Sequence, residues 1–241
     1  MPFELLPFHA NPEHDARFDE SLIELAAQSG PSACVWESRQ GLVVPRTYRR
    51  FDAFTTASEH FARQGWPVTV RQSGGGIVPQ GPGILNLSLA YAVQGKPLDH
   101  SDAVYLLICQ VISQALKEYG IASHPQAVEG SFCDGRFNLA VGSGDTARKV
   151  AGTAQLWRSH TSADSRNTVQ IVLVHALILA AVDVVAVTAQ ANAFEQALGS
   201  GKRYASDRIA SLHELCETPL PSKQAFALSL KAALERQLIA I

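Results

Sequence analysis

The chain has 241 residues, a formal net charge of -2, 46% hydrophobic residues and 17% charged residues. Apolar content on that scale supplies a sizeable core and excludes a disordered chain. The weakly acidic balance argues against a nucleic-acid protein, which would carry a basic patch.

In chain order, residues 19–28 read as a first helix, and 33–46 as two short strands around Arg39-Gln40-Gly41. A second helix is predicted over 56–65, with Thr56 and Glu59 as a capping box and Gly65 as its end. Residues 67–91 alternate, break at a glycine-rich turn, and alternate again through Leu85, Leu87, Leu89 and Tyr91. The clearest helix runs over 101–120: Val104, Leu107, Ile108, Val111 and Ala115 make an apolar stripe, Ser101 is its expected N-cap, and Gly120 closes it. Residues 129–155 read as loop, strand, Gly-Ser-Gly-Asp turn and strand, and 168–179 as a long strand. Helices are predicted over 189–199 and 222–238, the second with Phe226, Leu230, Leu234 and Leu238 four apart. Adjacent strands with helices between them indicate an α+β fold with a mixed, largely antiparallel sheet.

No apolar run reaches bilayer length. The longest, 171–187, is interrupted by His175 and Asp183. Residues 1–18 lack the basic and apolar regions of a secretory signal. The four cysteines, at 34, 109, 133 and 216, have no C-x-x-C spacing and no histidine at zinc spacing. The expectation is a reduced, cytoplasmic chain with free thiols, no metal site and no membrane or nucleic-acid partner.

The segment Ser73-Gly74-Gly75-Gly76-Ile77-Val78-Pro79-Gln80-Gly81-Pro82-Gly83 invites a phosphate-loop reading, but no Lys-Ser or Lys-Thr follows it and it runs into a strand rather than a helix. One reading is a plain β-turn with spare glycines. The other is a loop whose missing Cβ atoms let backbone approach a ligand closely.

The pattern Arg71-Gln72-Ser73-Gly74-Gly75-Gly76, followed by Asn86 and Ser88 on the next strand, resembles the glycine-rich signature of the lipoate-protein ligase and octanoyltransferase superfamily. Gln80-Gly81-Pro82-Gly83 resembles that family's His-Gly-Pro-Gly, with glutamine in the histidine's place. Lys149-Val150-Ala151-Gly152-Thr153-Ala154 is similar to its Lys-Val/Ile-x-Gly-Ser/Thr-Ala. His175-Ala176 stands where the family tends to have His-Gly. The motifs come in the family's order over roughly residues 30 to 185. The resemblance implies the sheet-and-helix catalytic domain shared with biotin ligases and class II aminoacyl-tRNA synthetases, here a single catalytic domain over 1–241 without a C-terminal accessory domain.

Two residues carry the chemistry. Alternation over 149–156 places Val150, Gly152, Ala154 and Leu156 on one face, and Lys149, Ala151, Thr153 and Gln155 on the other. On its own Lys149 reads as solvent-facing, the usual state of a lysine. With the resemblance, it lines an acyl pocket, binds the substrate carbonyl and stabilises the oxyanion of acyl transfer. Cys34 and Cys109 fit the pattern of small buried hydrophobes, on a strand and a helix. Cys133 sits instead before Asp134-Gly135, a turn. Gly130-Ser131-Phe132-Cys133-Asp134-Gly135 resembles the Gly-Ser-Tyr-Cys-Pro-Gly of the cysteine-dependent octanoyl-[glycine cleavage H protein]:protein octanoyltransferases, with aspartate where proline is usual.

That resemblance implies an acyltransferase: Cys133 carries an octanoyl or lipoyl thioester, Lys149 orients the carbonyl, and Arg71, Ser73, Gly74, Gly75, Gly76, Gln80, Gly81, Gly83, Asn86, Gly152, Thr153 and Ala154 shape the pocket. His175 either lines it or is a buried, hydrogen-bonded histidine. The donor would be an acyl carrier protein or glycine cleavage H protein, and the acceptor an apo lipoyl domain. The alternatives are an ATP- and magnesium-dependent lipoate ligase and a non-catalytic paralogue that binds a lipoyl group or carrier domain. A biotin ligase would need a Gly-Arg-Gly-Arg signature, which the chain lacks.

Overall fold

The computed structural model describes residues 3–7, 17–161, 168–217 and 221–240; part of the N-terminal stretch read for a signal lies outside them. The large sheet is ordered β1 (Glu4–Leu5), β2 (Ser32–Trp36), β6 (Ile84–Val93), β10 (Thr168–Leu179), β9 (Arg148–Thr161), β8 (Leu139–Val141), β7 (His124–Pro125). All its pairings are antiparallel except β1 with β2. A small sheet is ordered β4 (Val68–Arg71), β3 (Gly41–Pro45), β5 (Val78–Gln80), with β3 and β4 parallel. The architecture is the expected α+β with mixed sheets. The two strands around Gln40, however, are no hairpin: β2 joins the large sheet and β3 the small one.

The faces of the large sheet follow from alternation. Leu85, Leu87 and Leu89 of β6 and Val172, Val174, Ala176 and Ile178 of β10 pack with α3 (Pro97–Lys117) and α6 (Lys223–Ile239). On α6 the residues Phe226, Leu230, Leu234 and Leu238, read as one stripe, are all fully buried. The opposite face carries Ile84, Asn86, Ser88 and Ala90 of β6, and Leu173, His175, Leu177 and Leu179 of β10. Toward one end of this face stand the small sheet, α2 (Phe54–Arg63) and α4 (Val184–Leu198). Toward the other stands α1 (Leu22–Ser29). Three polar residues, Asn86, Ser88 and His175, interrupt an otherwise apolar face, and the candidate site is built over them.

Several helix starts differ from expectation. α2 begins at Phe54 with Ala53 as N-cap and no side-chain cap bond, so Thr56 and Glu59 form no capping box there. α3 begins at Pro97, and Ser101 lies inside it. Proline is preorganised for the first helical position, where its missing N–H costs nothing. Ser101 instead takes hydrogen bonds from Gln155 Nε2 on its hydroxyl (2.6 Å) and its carbonyl (3.3 Å). α4 begins five residues early, at Val184, because the Asp183 carboxylate accepts from the N–H groups of Val185 and Ala186, both at 3.0 Å. That cap divides the long apolar run 171–187 into a strand and a helix. Among the described residues no helix is long and apolar enough to cross a membrane.

Candidate active site

Cys133 lies in the loop before β8 and has φ 52, which makes it the one non-glycine residue with positive φ among those described. A residue other than glycine, asparagine or aspartate held there is strained and persists only where its surroundings impose it. Its carbonyl accepts from Lys149 Nζ (2.8 Å), Asn138 Nδ2 (2.8 Å) and the N–H of Gly135 (3.0 Å). Lys149 Nζ also donates to the Phe132 carbonyl at 2.6 Å and stands 5.2 Å from the Phe132 ring centroid. One lysine thus ties down two consecutive carbonyls of the cysteine loop.

Lys149 is fully buried, which excludes the solvent-facing reading. The strand phase read from sequence also needs correcting. β8 pairs Leu139 with Ala151 but Ala140 with Lys149, leaving Val150 as the extra residue of a bulge. A bulge slips the side-chain alternation by one. Lys149 Nζ therefore ends beside Gly152, only 2.7 Å from where a Cβ on that glycine would stand, instead of on the opposite face. Burial pushes the ammonium down from 10.5 to about 8, against the favourable charges of Cys133 and Asp134. Gly152 itself lines the cleft.

The glycine loop faces the sulfur. The N–H of Gly76 donates to Cys133 Sγ at 3.3 Å, and a Cβ on Gly75 would sit 2.7 Å from the same sulfur. Gly75 also has φ +103. The missing side chains thus let this loop's backbone approach the Cys133 sulfur closely. Arg71, buried at the end of β4, holds its shape. The guanidinium donates to the carbonyls of Gly74 and Gly76, both at 2.8 Å, and to that of Val43 at 3.3 Å. Burial lowers its pKa, against the opposing influence of the nearby Cys133. Arg71 and Lys149 thus bring two cations close to Cys133. Burial pushes the Cys34 and Cys109 thiols up to about 12.

Cys133 stands where two clefts meet. The inner one runs between the sheets and is lined by Trp36, Val43, Val78, Gly152, Ala154 and Leu177, with Asp19, Gln80, Asn86 and His175 as polar members. The outer one is bounded by Gly74, Gly75 and Gly76, Tyr105, Gln155 and Lys202. Thr153 borders both, and its hydroxyl donates to the Phe137 carbonyl at 2.8 Å. Gln80 and Asn86 pair their amides reciprocally, at 2.8 and 3.1 Å.

Gly81 and Gly83 are not brought to the clefts around Cys133. A Cβ on Gly81 would meet Gln40, and one on Gly83 would lie 2.4 Å from the Ala181 carbonyl. They serve the turn into β6.

His175 answers both readings at once: it lines the inner cleft and is fully hydrogen-bonded. Its Nδ1 lies 2.6 Å from Asp19 Oδ2, and its Nε2 lies 2.9 Å from Ser73 Oγ. Ser88 Oγ donates to the same Asp19 oxygen at 3.1 Å, and Trp36 Nε1 donates to Ser88 Oγ at 3.0 Å. The order Ser73, His175, Asp19 has the contacts of a hydrolytic triad. Ser73, though, is 3% exposed and outside the cleft lining, so its hydroxyl is not placed to meet a substrate carbonyl.

Sequence reasoning missed Asp19, Asn138 and the segment 202–204. Asp19 lies 156 residues from His175, and no local pattern links them. Glu195, fully buried on α4, accepts from the hydroxyls of Tyr48 and Tyr204 and so anchors the outer-cleft wall. Asn138 sits five residues after Cys133 and had no motif to mark it.

Residues 11–235 match the family model of the lipoyl protein ligase A/B catalytic domain. An uncharacterized protein of Cupriavidus necator is 51% identical over 219 residues, covering 89% of this chain and 87% of its own. The octanoyl-[GcvH]:protein N-octanoyltransferase of Kyrpidia tusciae is 34% identical over 119 residues, 49% of this chain and 39% of that protein. The matched stretch thus spans well under half of that relative. Among solved structures, a lipoate-protein ligase A bound with ATP superposes with a TM-score of 0.68 at 15% identity, covering 98% of this chain and 84% of the other. A bi-partite lipoate protein ligase from Thermoplasma acidophilum gives 0.62 at 16% identity, with 98% and 82% covered. These two share the fold. The family match over nearly the whole chain leads to one conclusion: the chain belongs to the lipoyl protein ligase A/B catalytic domain family.

Proposed function

We propose that the protein is an acyltransferase that moves an octanoyl or lipoyl group through a thioester on Cys133 to a lysine of an apo lipoyl domain. The observation that carries this is the thiol itself: a cysteine at positive φ, beside two cations and a backbone N–H, at the meeting point of an inner and an outer cleft. A merely structural cysteine needs none of these. The thiol sulfur attacks the acyl carbonyl of the donor, an acyl carrier protein or glycine cleavage H protein. The donor's leaving group departs with the proton. The acceptor amine then attacks the thioester, and Cys133 leaves as a thiol carrying a proton taken from that amine.

Lys149 fits the carbonyl-orienting role by donor count. An ammonium has three N–H groups. Two are used by the Phe132 and Cys133 carbonyls, and one remains. Position 152 carries no side chain and lines the inner cleft, so a small shift of the ammonium past it would bring that third donor to a bound carbonyl. There it would stabilise the oxyanion of each tetrahedral intermediate. Arg71 and the glycine loop hold the sulfur in place.

The test is to incubate the protein with octanoyl carrier protein, without ATP, and weigh it intact. An octanoyl adduct that disappears in Cys133→Ala supports the transferase. No adduct, combined with lipoate- and ATP-dependent pyrophosphate exchange, would falsify it in favour of a ligase. Neither activity points to a non-catalytic binding protein.

A further inference from the structure

The inner cleft holds a polar cluster that the transfer chemistry does not use. Four hydrogen bonds link its members. Trp36 Nε1–H donates to Ser88, and Ser88 O–H to Asp19 Oδ2. His175 Nδ1–H donates to the same Oδ2, and its Nε2 lies 2.9 Å from Ser73 Oγ. Both contacts made to Asp19 fall on a single oxygen. The other oxygen, Asp19 Oδ1, is buried and has no hydrogen-bond partner, on a residue 1% exposed that lines the cleft. A buried, unpartnered carboxylate oxygen is costly and calls for an explanation.

Its place in the sheet supplies one. Lys149 belongs to β9, the strand that carries Gly152, and its ammonium holds the Cys133 carbonyl. Asp19 bridges Ser88 on β6 and His175 on β10, which are direct cross-strand partners. Asp19 and Cys133 line the same cleft. The lining of that cleft includes the apolar side chains of Ala154, Leu177, Val43 and Val78. An acyl chain held at Cys133 would cross that apolar stretch and bring its distal carbons to the carboxylate.

We propose that, among acyl groups of octanoyl and lipoyl size, this cleft prefers one that carries a hydrogen-bond donor on its distal carbons, a hydroxyl or a thiol such as that of the reduced dihydrolipoyl group, and that Asp19 Oδ1 receives it. The inference rests on the acyl-pocket reading above and adds a specificity-determining residue to it. A plain alkyl chain leaves Oδ1 bare, and a carbonyl at the same depth meets it lone pair to lone pair.

Binding of the free acids, measured by calorimetry, tests this separately from turnover. The probes are octanoate, an octanoate with a terminal hydroxyl, an octanoate with a distal ketone, lipoate and dihydrolipoate. The hydroxy acid is expected to bind about tenfold more tightly than octanoate or the keto acid, since a hydrogen bond to a charged group carries that much discrimination. A gain for dihydrolipoate over lipoate would identify the donor as the reduced dithiol; a gain for the hydroxy acid alone would identify it as a hydroxyl. In Asp19→Asn, which keeps an oxygen for Ser88 and His175 but turns an NH2 toward the chain, the preference over the keto acid should level or reverse. Because it is a ratio between ligands on one protein, partial unfolding cannot imitate it. Equal affinity for the hydroxy acid and octanoate in the wild type, or a ratio to the keto acid unchanged in Asp19→Asn, overturns the inference. Adduct formation on Cys133 with no such preference would leave the transferase standing and sink this proposal alone. A preference without any adduct would do the reverse.

Discussion

Replacing Lys149 by methionine separates what the buried lysine does for the fold from what it does for the reaction. Lowering an ammonium from 10.5 to about 8 corresponds to a cost of about 3 kcal/mol for holding it charged in the interior at neutral pH. Methionine removes that cost and fills similar space. Against it stands the loss of two hydrogen bonds. The Cys133 carbonyl keeps Asn138 Nδ2 and the Gly135 N–H, so it remains satisfied. Only the Phe132 carbonyl loses the partner described here, at about 1–3 kcal/mol. The two effects nearly cancel, and Lys149→Met is expected to unfold in urea within about 2 kcal/mol of wild type at pH 7. Acyl transfer should nevertheless fall by about a hundredfold or more, the scale of removing one oxyanion donor.

The pH dependence supplies the sign. Between about 8 and 10.5 the unfolded chain holds the Lys149 proton that the native chain has already released. Wild-type stability therefore rises with pH through that window relative to the methionine variant. Urea melts of both proteins at several pH values, followed by tryptophan fluorescence, measure the difference directly. A variant that loses far more than 3 kcal/mol at pH 7, or a gap that does not change above pH 8, would refute the account of the lysine as a charge held at a cost for chemistry. Retained transfer activity would refute the role itself.

Two further outcomes follow from the same geometry. Gly75→Ala places a Cβ 2.7 Å from Cys133 Sγ on a backbone at φ +103, so it should cost about 1–3 kcal/mol and abolish adduct formation; a normal adduct rate in this variant would show that the loop does not hold the sulfur. Alkylation with iodoacetamide at pH 8 should spare Cys34 and Cys109, whose thiols are pushed up to about 12, while modification of Cys133 blocks acylation. Peptide mapping reads the first result and intact mass the second, and label on Cys34 in the folded protein would contradict its burial.

Much of this fold was legible where one short-range period dominates. The strand over 168–179 and the stripe of Phe226, Leu230, Leu234 and Leu238 came out as read, the first because its β-branched and apolar run is buried on both faces and the second because one side of the helix is buried. Helix starts were less legible. Pro97 and Asp183 took the N-terminal positions of their helices, while the expected cap Ser101 was drawn to Gln155 from a strand 54 residues away. Motif spacing identified Cys133, Lys149, Arg71 and the three glycines, and the structure gathers them around one sulfur.

By itself, then, the sequence determined the fold class, the family and the candidate residues for the site, because those depend on periodicity and on residue types at fixed spacing. Tertiary structure alone decided the rest. The bulge at Val150 moved Lys149 to the side of Gly152, since an extra residue reverses the alternation that a periodic reading assumes. Gly81 and Gly83 went to a turn because the Ala181 carbonyl and Gln40 leave no room for a side chain there. Asp19 joined Ser88 and His175 because strands far apart in the chain lie side by side, and a hydrogen bond depends on distance in space rather than along the sequence.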